Sequence, residues 1–179
     1  TDIFEKGGEC VAVFELRGYD GTELRITDIR FEKPIGKLFD GEILYQLPHT
    51  SALMMGYVMI TKNKKVIVVD GGDIKDGALL TELIKKHGGV VHHWFVTHCH
   101  EDHIRAIIDI FQKEAVCVNT LYYSFPDLSI LQERGDELAE KFRSAIPSYV
   151  KMVTPKKGDR YEIDSVKVCV LNDAWFEKS

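Results

Sequence analysis

The sequence has no C-x-x-C pair, no glycine-rich phosphate loop, no internal repeat and no low-complexity tract. Its four cysteines, Cys10, Cys99, Cys117 and Cys169, stand singly, mostly inside apolar strand patterns. They read as small buried residues of a reducing compartment rather than as a redox or zinc-binding pair. Gly71-Gly72 is too short for a phosphate cradle. The apolar runs fall far short of the ~20 residues that span a bilayer, and no signal-peptide pattern opens the chain. The expected location is therefore cytoplasmic. Positive charge is not in excess: 23 Lys and Arg stand against 28 Asp and Glu, a formal net charge of −5. No global field draws the chain to nucleic acid or to an anionic membrane, although a metal site would still bind phosphate locally. What is present is a globular composition. With 45% apolar and 28% charged residues over 179 positions, the chain buries a core and forms one domain plus a small extension.

Strand and helix patterns alternate along it. Residues 11–16 and 24–31 alternate as strands across Tyr19-Asp20-Gly21, and Asp-Gly is a hairpin signal. A loop with Pro34 and Gly36 marks a boundary. It separates residues 1–36, a hairpin extension or the tail of an upstream module, from a domain over 37–179. Within that domain the pattern predicts strands at 41–47, 56–61, 65–70, 91–97, 116–119, 121–125, 151–154, 160–163 and 166–171. It predicts helices at 76–87, stopped by Gly88-Gly89, at 101–113 and at 128–146. The order is α/β (α+β in some schemes), with a sheet flanked by helices. Tyr122-Tyr123 and Phe125 follow a strand near the presumed cleft, where they form a substrate wall or, more simply, part of the core.

Five of the seven histidines (His92, His93, His98, His100 and His103) lie between positions 92 and 103. If a buried strand ends at Thr97, alternation puts His98 and His100 on one side of the following turn. If a helix starts near Glu101, Asp102 and His103 lie in its first turn and return to the same point. Neutral imidazole and carboxylate form the set that zinc, manganese or iron accepts. His92 and His93 start the strand, away from the turn, and read as structural. Alternation points Cys99 away from any metal.

The segment Thr97-His98-Cys99-His100-Glu101-Asp102-His103 resembles the His-x-His-x-Asp-His signature of the metallo-β-lactamase superfamily. The upstream Tyr57-Val58-Met59-Ile60-Thr61 and Val66-Ile67-Val68-Val69-Asp70-Gly71-Gly72 are similar to that family's paired strands ending in Asp-Gly-Gly. The likeness covers residues 41–171 and implies the first half of an αββα sandwich. It implies that His98 and His100 bind a first metal and that Asp102 and His103 bind a second, Asp102 being the catalytic residue as well. It also implies that Asp70 is the carboxylate that orients a ligand histidine; the plainer alternative is a turn residue beside two glycines. Zinc, two ions in the intact protein, is the implied cofactor.

Family members complete their sites with a further histidine on the first metal, a bridging aspartate and a last histidine on the second. No histidine follows His103 here, and the spacing of the aspartates at 127, 136, 159, 164 and 173 marks none as a ligand. The chain is read as a fragment of a longer protein, inactive by itself, in preference to a degenerate site. Arg105 stands where relatives carry a small residue and reads as a solvated helix residue. The resemblance implies a hydrolase that uses a metal-bound hydroxide on a small-molecule or phosphodiester substrate, with phosphodiester, ester or thioester favoured over β-lactam. The sequence context looks more like bacterial nuclease-like hydrolases than like antibiotic-destroying enzymes. The rivals are a non-catalytic binding or assembly domain and a di-iron redox protein. An exposed sheet edge would be open to a second copy, giving a homodimer.

Overall fold

A computed structural model describes residues 2–6, 9–17, 23–26, 42–47, 56–125 and 137–171. The backbone divides into two compact units, Thr1–Gly41 and Glu42–Ser179. In the first, β1 (Asp2–Lys6), β2 (Glu9–Arg17) and β3 (Glu23–Ile26) form an antiparallel sheet in that order. The strand β1 was not expected, and the expected extension of β3 to residue 31 lies outside the described residues.

The second unit is built on a six-stranded sheet of order β4 (Ile43–Gln46), β5 (Tyr57–Ile60), β6 (Val66–Val69), β7 (Val90–Val96), β8 (Cys117–Tyr123) and β9 (Lys151–Val153). The pairs β4–β5 and β5–β6 are antiparallel. From β6 onward every pair is parallel, because each connection carries a helix: α1 (Gly77–Lys86), α2 (Glu101–Gln112) and α3 (Glu137–Ala145). Parallel neighbours need such crossovers. This is the expected α/β class. The two strand pieces expected at 116–125 are one continuous strand, since β8 runs without a break from Cys117 to Tyr123 and Thr120 still lies opposite His93. The predicted helix at 128–146 is described only over α3, and 126–136 lie outside the described residues.

Strand alternation sorts the central sheet into two faces. Val68, Trp94 and Leu121 are register partners on one face. They join Leu80 and Ile84 of α1, Ile104, Ile107 and Phe111 of α2, and Phe142 of α3 in the core. The Trp94 ring lies 6.0 Å from Phe111. On the other face Val69, Phe95 and Tyr122 are register partners. Phe95 stacks on Tyr122 at 4.2 Å, and Tyr161 packs edge-on to Tyr122 at 4.9 Å. That tyrosine comes from a separate hairpin, β10 (Arg160–Ile163) and β11 (Val166–Cys169), closed by Asp164-Ser165. The hairpin is tied back across the chain. Asp164 accepts the Asn63 backbone N–H at 2.9 Å, and bonds from Thr61 and Asn63 hold its carboxyl below the usual carboxylate value.

Cys117 and Cys169 are exposed and Cys99 is half-buried, so burial was the wrong expectation for these three. Cys117 opens β8 and Cys169 closes β11, where strand ends give a small side chain little cover.

Candidate metal-binding site

β7 buries Val91, Trp94 and Val96 and leaves the residues between them half-buried, and the chain then turns through Thr97, His98 and Cys99 into α2. His100 is the N-cap residue in extended conformation, and its side chain makes no cap hydrogen bond. Glu101 and Asp102 occupy the first helical turn, where negative charge suits the positive end of the helix. A buried strand feeding directly into a helix thus sets four candidate ligands within six positions.

Their ring atoms come together in pairs. His98 Nε2 lies 3.0 Å from His100 Nδ1, and the His98 ring centroid lies 3.8 Å from that of His103. His103 Nε2 lies 3.6 Å from Asp102 Oδ2. His103 is buried, whereas His100 is exposed.

Asp70 stands behind the pairs and is only 3% exposed. Its backbone is left-handed (φ 56°), a region that aspartate tolerates better than most residues. The Asp70 N–H donates to Phe95 O at 2.8 Å and the Trp94 indole donates to Asp70 O at 3.1 Å, which fix it there. The Asp70 carboxylate accepts the Thr97 backbone N–H on Oδ1 at 2.8 Å and the Thr97 hydroxyl on Oδ2 at 2.8 Å. Its Oδ2 also lies 2.9 Å from His103 Nδ1. A histidine that gives its Nδ1 proton to a carboxylate keeps Nε2 bare for a cation. Burial first, and then the neighbouring imidazoles of His103 and His100, hold the His98 pKa below the ordinary histidine value. A neutral ring is the form that binds metal.

Zinc–nitrogen bonds of about 2.0–2.1 Å put tetrahedral neighbours ~3.3 Å apart. The His98–His100 and Asp102–His103 separations bracket that spacing, so each pair suits two corners of a tetrahedron. Among the described residues, no group of three or more His, Cys, Asp or Glu side chains converges as a closed cage would require. The donors come to a spacing compatible with a cation only two at a time.

A cleft of about 530 Å³ opens beside the pairs, lined by Cys99, His100, Glu101, Asp102, Arg105, Glu137, Leu138 and Lys141. Cys99 therefore borders the cleft while also packing against the core. Arg105 is ion-paired to Glu101 and reaches Asp73 at 3.5 Å, so it is tethered at the mouth rather than simply solvated.

The structure places His92 and His93 elsewhere. His92 Nδ1 accepts the Val66 N–H at 3.1 Å, and His93 Nδ1 lies 2.9 Å from the Tyr122 hydroxyl. Tyr122, Tyr123 and Phe125 do not line the cleft; Tyr123 and Phe125 pack on Phe142 at 5.3 and 5.0 Å. Sequence reasoning gave Thr97 no role, although a hydroxyl between the strand and the first histidine was a usable signal. It had no access to Glu137 and Lys141, which reach the cleft from a helix distant in the chain.

No protein-family model and no curated protein matches the chain. The solved structures it is similar to include metallo-β-lactamases and a metallo-β-lactamase fold protein. A Thermotoga maritima protein provisionally assigned as a metallo-β-lactamase is 16% identical with a TM-score of 0.43, over 66% of this chain and 61% of that one. Native FEZ-1 metallo-β-lactamase from Legionella gormanii is 19% identical with a TM-score of 0.39, over 63% and 44%. The metallo-β-lactamase fold protein YhfI from Bacillus subtilis is 16% identical with a TM-score of 0.41, over 67% and 45%. The match thus spans 44–61% of the length of these three proteins.

Proposed function

We propose that this chain carries the metal-binding half of a metal-dependent hydrolase acting on an ester, thioester or phosphodiester. The observation that carries the reading is the paired donor set at the β7–α2 junction, with His103 anchored on buried Asp70 at 2.9 Å. His98 and His100 would hold one divalent cation, and Asp102 and His103 a second. Zinc suits imidazole and carboxylate donors at tetrahedral spacing. When bound, such a cation supplies Lewis acidity, which lowers the pKa of a water to about 7 and polarises the bond to be hydrolysed.

The chain's own residues do the rest. Asp70 orients His103. Asp102, beside His103 at the head of α2, faces the cleft where substrate would sit and is the proposed catalytic carboxylate. Arg105 and Lys141 give the mainly acidic cleft wall two cations, which suits substrates with an anionic or polarised group. Two donor pairs leave coordination positions open and no histidine follows His103 to complete them, so the 179 residues alone are proposed to be inactive.

The test is zinc content after reconstitution and dialysis, measured by elemental analysis on the chain, on His98→Ala, and on a longer polypeptide that includes the downstream sequence. The expected result is about two zinc ions in the longer protein, loss of one with His98→Ala, and hydrolysis of bis(p-nitrophenyl) phosphate or a p-nitrophenyl ester by the longer protein only. Failure of both wild-type proteins to retain metal would overturn the reading in favour of a non-catalytic binding domain.

A further inference from the structure

Hydrogen positions around Asp70 follow from counting donors. A carboxylate only accepts, a threonine hydroxyl has one hydrogen and two lone pairs, and a neutral imidazole carries one N–H. Asp70 Oδ2 lies 2.8 Å from Thr97 Oγ1 and 2.9 Å from His103 Nδ1. Both contacts are hydrogen bonds only if Thr97 and His103 each donate to it. His103 Nδ1 also lies 3.3 Å from Thr97 Oγ1, the longer branch of a shared donor. The single hydroxyl hydrogen of Thr97 is then spent on Asp70. Towards His98 Nδ1, 3.0 Å away, Thr97 Oγ1 has only a lone pair to offer. His98 Nδ1 must carry its ring's proton, so His98 Nε2 is bare. His100 Nδ1, 3.0 Å from that atom, donates to it in the metal-free protein. Every link points the same way: His100 to His98, His98 to Thr97, Thr97 to Asp70.

We propose that Thr97 is a positioning residue whose hydroxyl carries the polarity of Asp70 to His98, so that one buried carboxylate fixes the tautomers of two histidines. His103 is set directly and His98 through Thr97. The device matters because a free neutral imidazole favours the opposite tautomer, with the proton on Nε2, which would block the nitrogen that faces His100. The role in metal binding rests on the function proposed above. The tautomer itself exists without metal.

The experiment reads it there. Long-range ¹H–¹⁵N correlation of the imidazoles, in metal-free ¹⁵N-labelled chain at about pH 8, above the ordinary histidine range, reports which ring nitrogen of each histidine is protonated. Wild type is expected to show His98 and His103 protonated on Nδ1. Thr97→Val, which keeps the shape and removes the hydroxyl, is expected to move the His98 proton to Nε2 and leave His103 unchanged; Thr97→Ser is expected to restore the wild-type pattern. In parallel, zinc affinity by competition with a chromophoric chelator should fall about 10- to 100-fold in Thr97→Val and recover in Thr97→Ser. A wild-type His98 protonated on Nε2 overturns the proposal, and so does an unchanged His98 in folded Thr97→Val. The wild-type spectrum decides even if the valine variant fails to fold. A chain with the expected tautomers that binds no zinc would sink the metal-site reading and leave the relay standing.

Discussion

At Gly71 the backbone runs so close to α2 that a side chain has no room. A β-carbon there would lie 2.6 Å from Ile107 Cγ1, and Ile107 is fully buried and stiff at its branched carbon. The Gly71 N–H also donates to His103 O at 2.9 Å, so the same residue holds the first turn of α2 in place. Gly71→Ala is expected to destabilise the protein by about 1–3 kcal/mol, the usual range for overpacking a filled core. Urea denaturation would measure it, and an unchanged midpoint would contradict the close approach. The variant should also weaken zinc binding, because the only ways to relieve the contact are to move Ile107 or the turn that carries His103. The glycine after Asp70 thus serves the site through backbone proximity.

Two helices end in the same way with different residues. After α1, the Gly89 N–H donates to Ile84 O at 3.0 Å and the Gly88 N–H to Lys85 O at 3.1 Å, with Gly88 at φ 103°. After α2, the Ala115 N–H donates to Ile110 O at 3.0 Å and the Glu114 N–H to Phe111 O at 3.1 Å, with Glu114 at φ 49°. Both are Schellman stops, but the second forces a left-handed backbone on a residue with a β-carbon. Replacing Glu114 by glycine removes that strain and costs some unfolded-state entropy. The balance is expected to favour Glu114→Gly by about 0.5–1 kcal/mol, read as a higher thermal midpoint; a lower one would mean that the Glu114 side chain contributes more than its strain costs. The glycine pair after α1 was legible in the sequence as a stop. Both helix ends were placed one residue late, at 87 and 113, although no glycine announces the second.

Across the second unit, three histidines away from the site respond to pH in the same direction. Burial first, then nearby lysines, hold His87, His92 and His93 below the ordinary histidine value of 6.5. Below that value the unfolded chain takes up protons that the folded chain refuses, so their contribution to stability is complete above it and is lost as pH falls through the folded values. The urea midpoint is therefore expected to be lower at about pH 5.5 than at about pH 7.5, and His93→Gln should flatten the difference. A midpoint that rises on acidification would contradict the sign. His92 and His93 are sheet fasteners: His92 accepts a backbone N–H from the first residue of β6, and His93 reaches Tyr122 on β8. Among the described residues no helix is long and apolar enough to cross a membrane.

The local pattern of the sequence determined the order of strands and helices in the second unit, because periods of two and 3.6 are written into which residues are apolar. Local spacing likewise put His98, His100, Asp102 and His103 on one short turn, since alternation after a strand and the first turn of a helix span only a few residues. Only the tertiary structure decided what stands around them. The pairing of β6 beside β7 carries Asp70 under Thr97 and His103 from 27 and 33 positions away, and the docking of α3 on α2 brings Glu137, Leu138 and Lys141 to the cleft. The exposure of Cys117 and Cys169 was decided there as well. Local chemistry fixes what a residue is able to do, and long-range packing fixes which partner it meets.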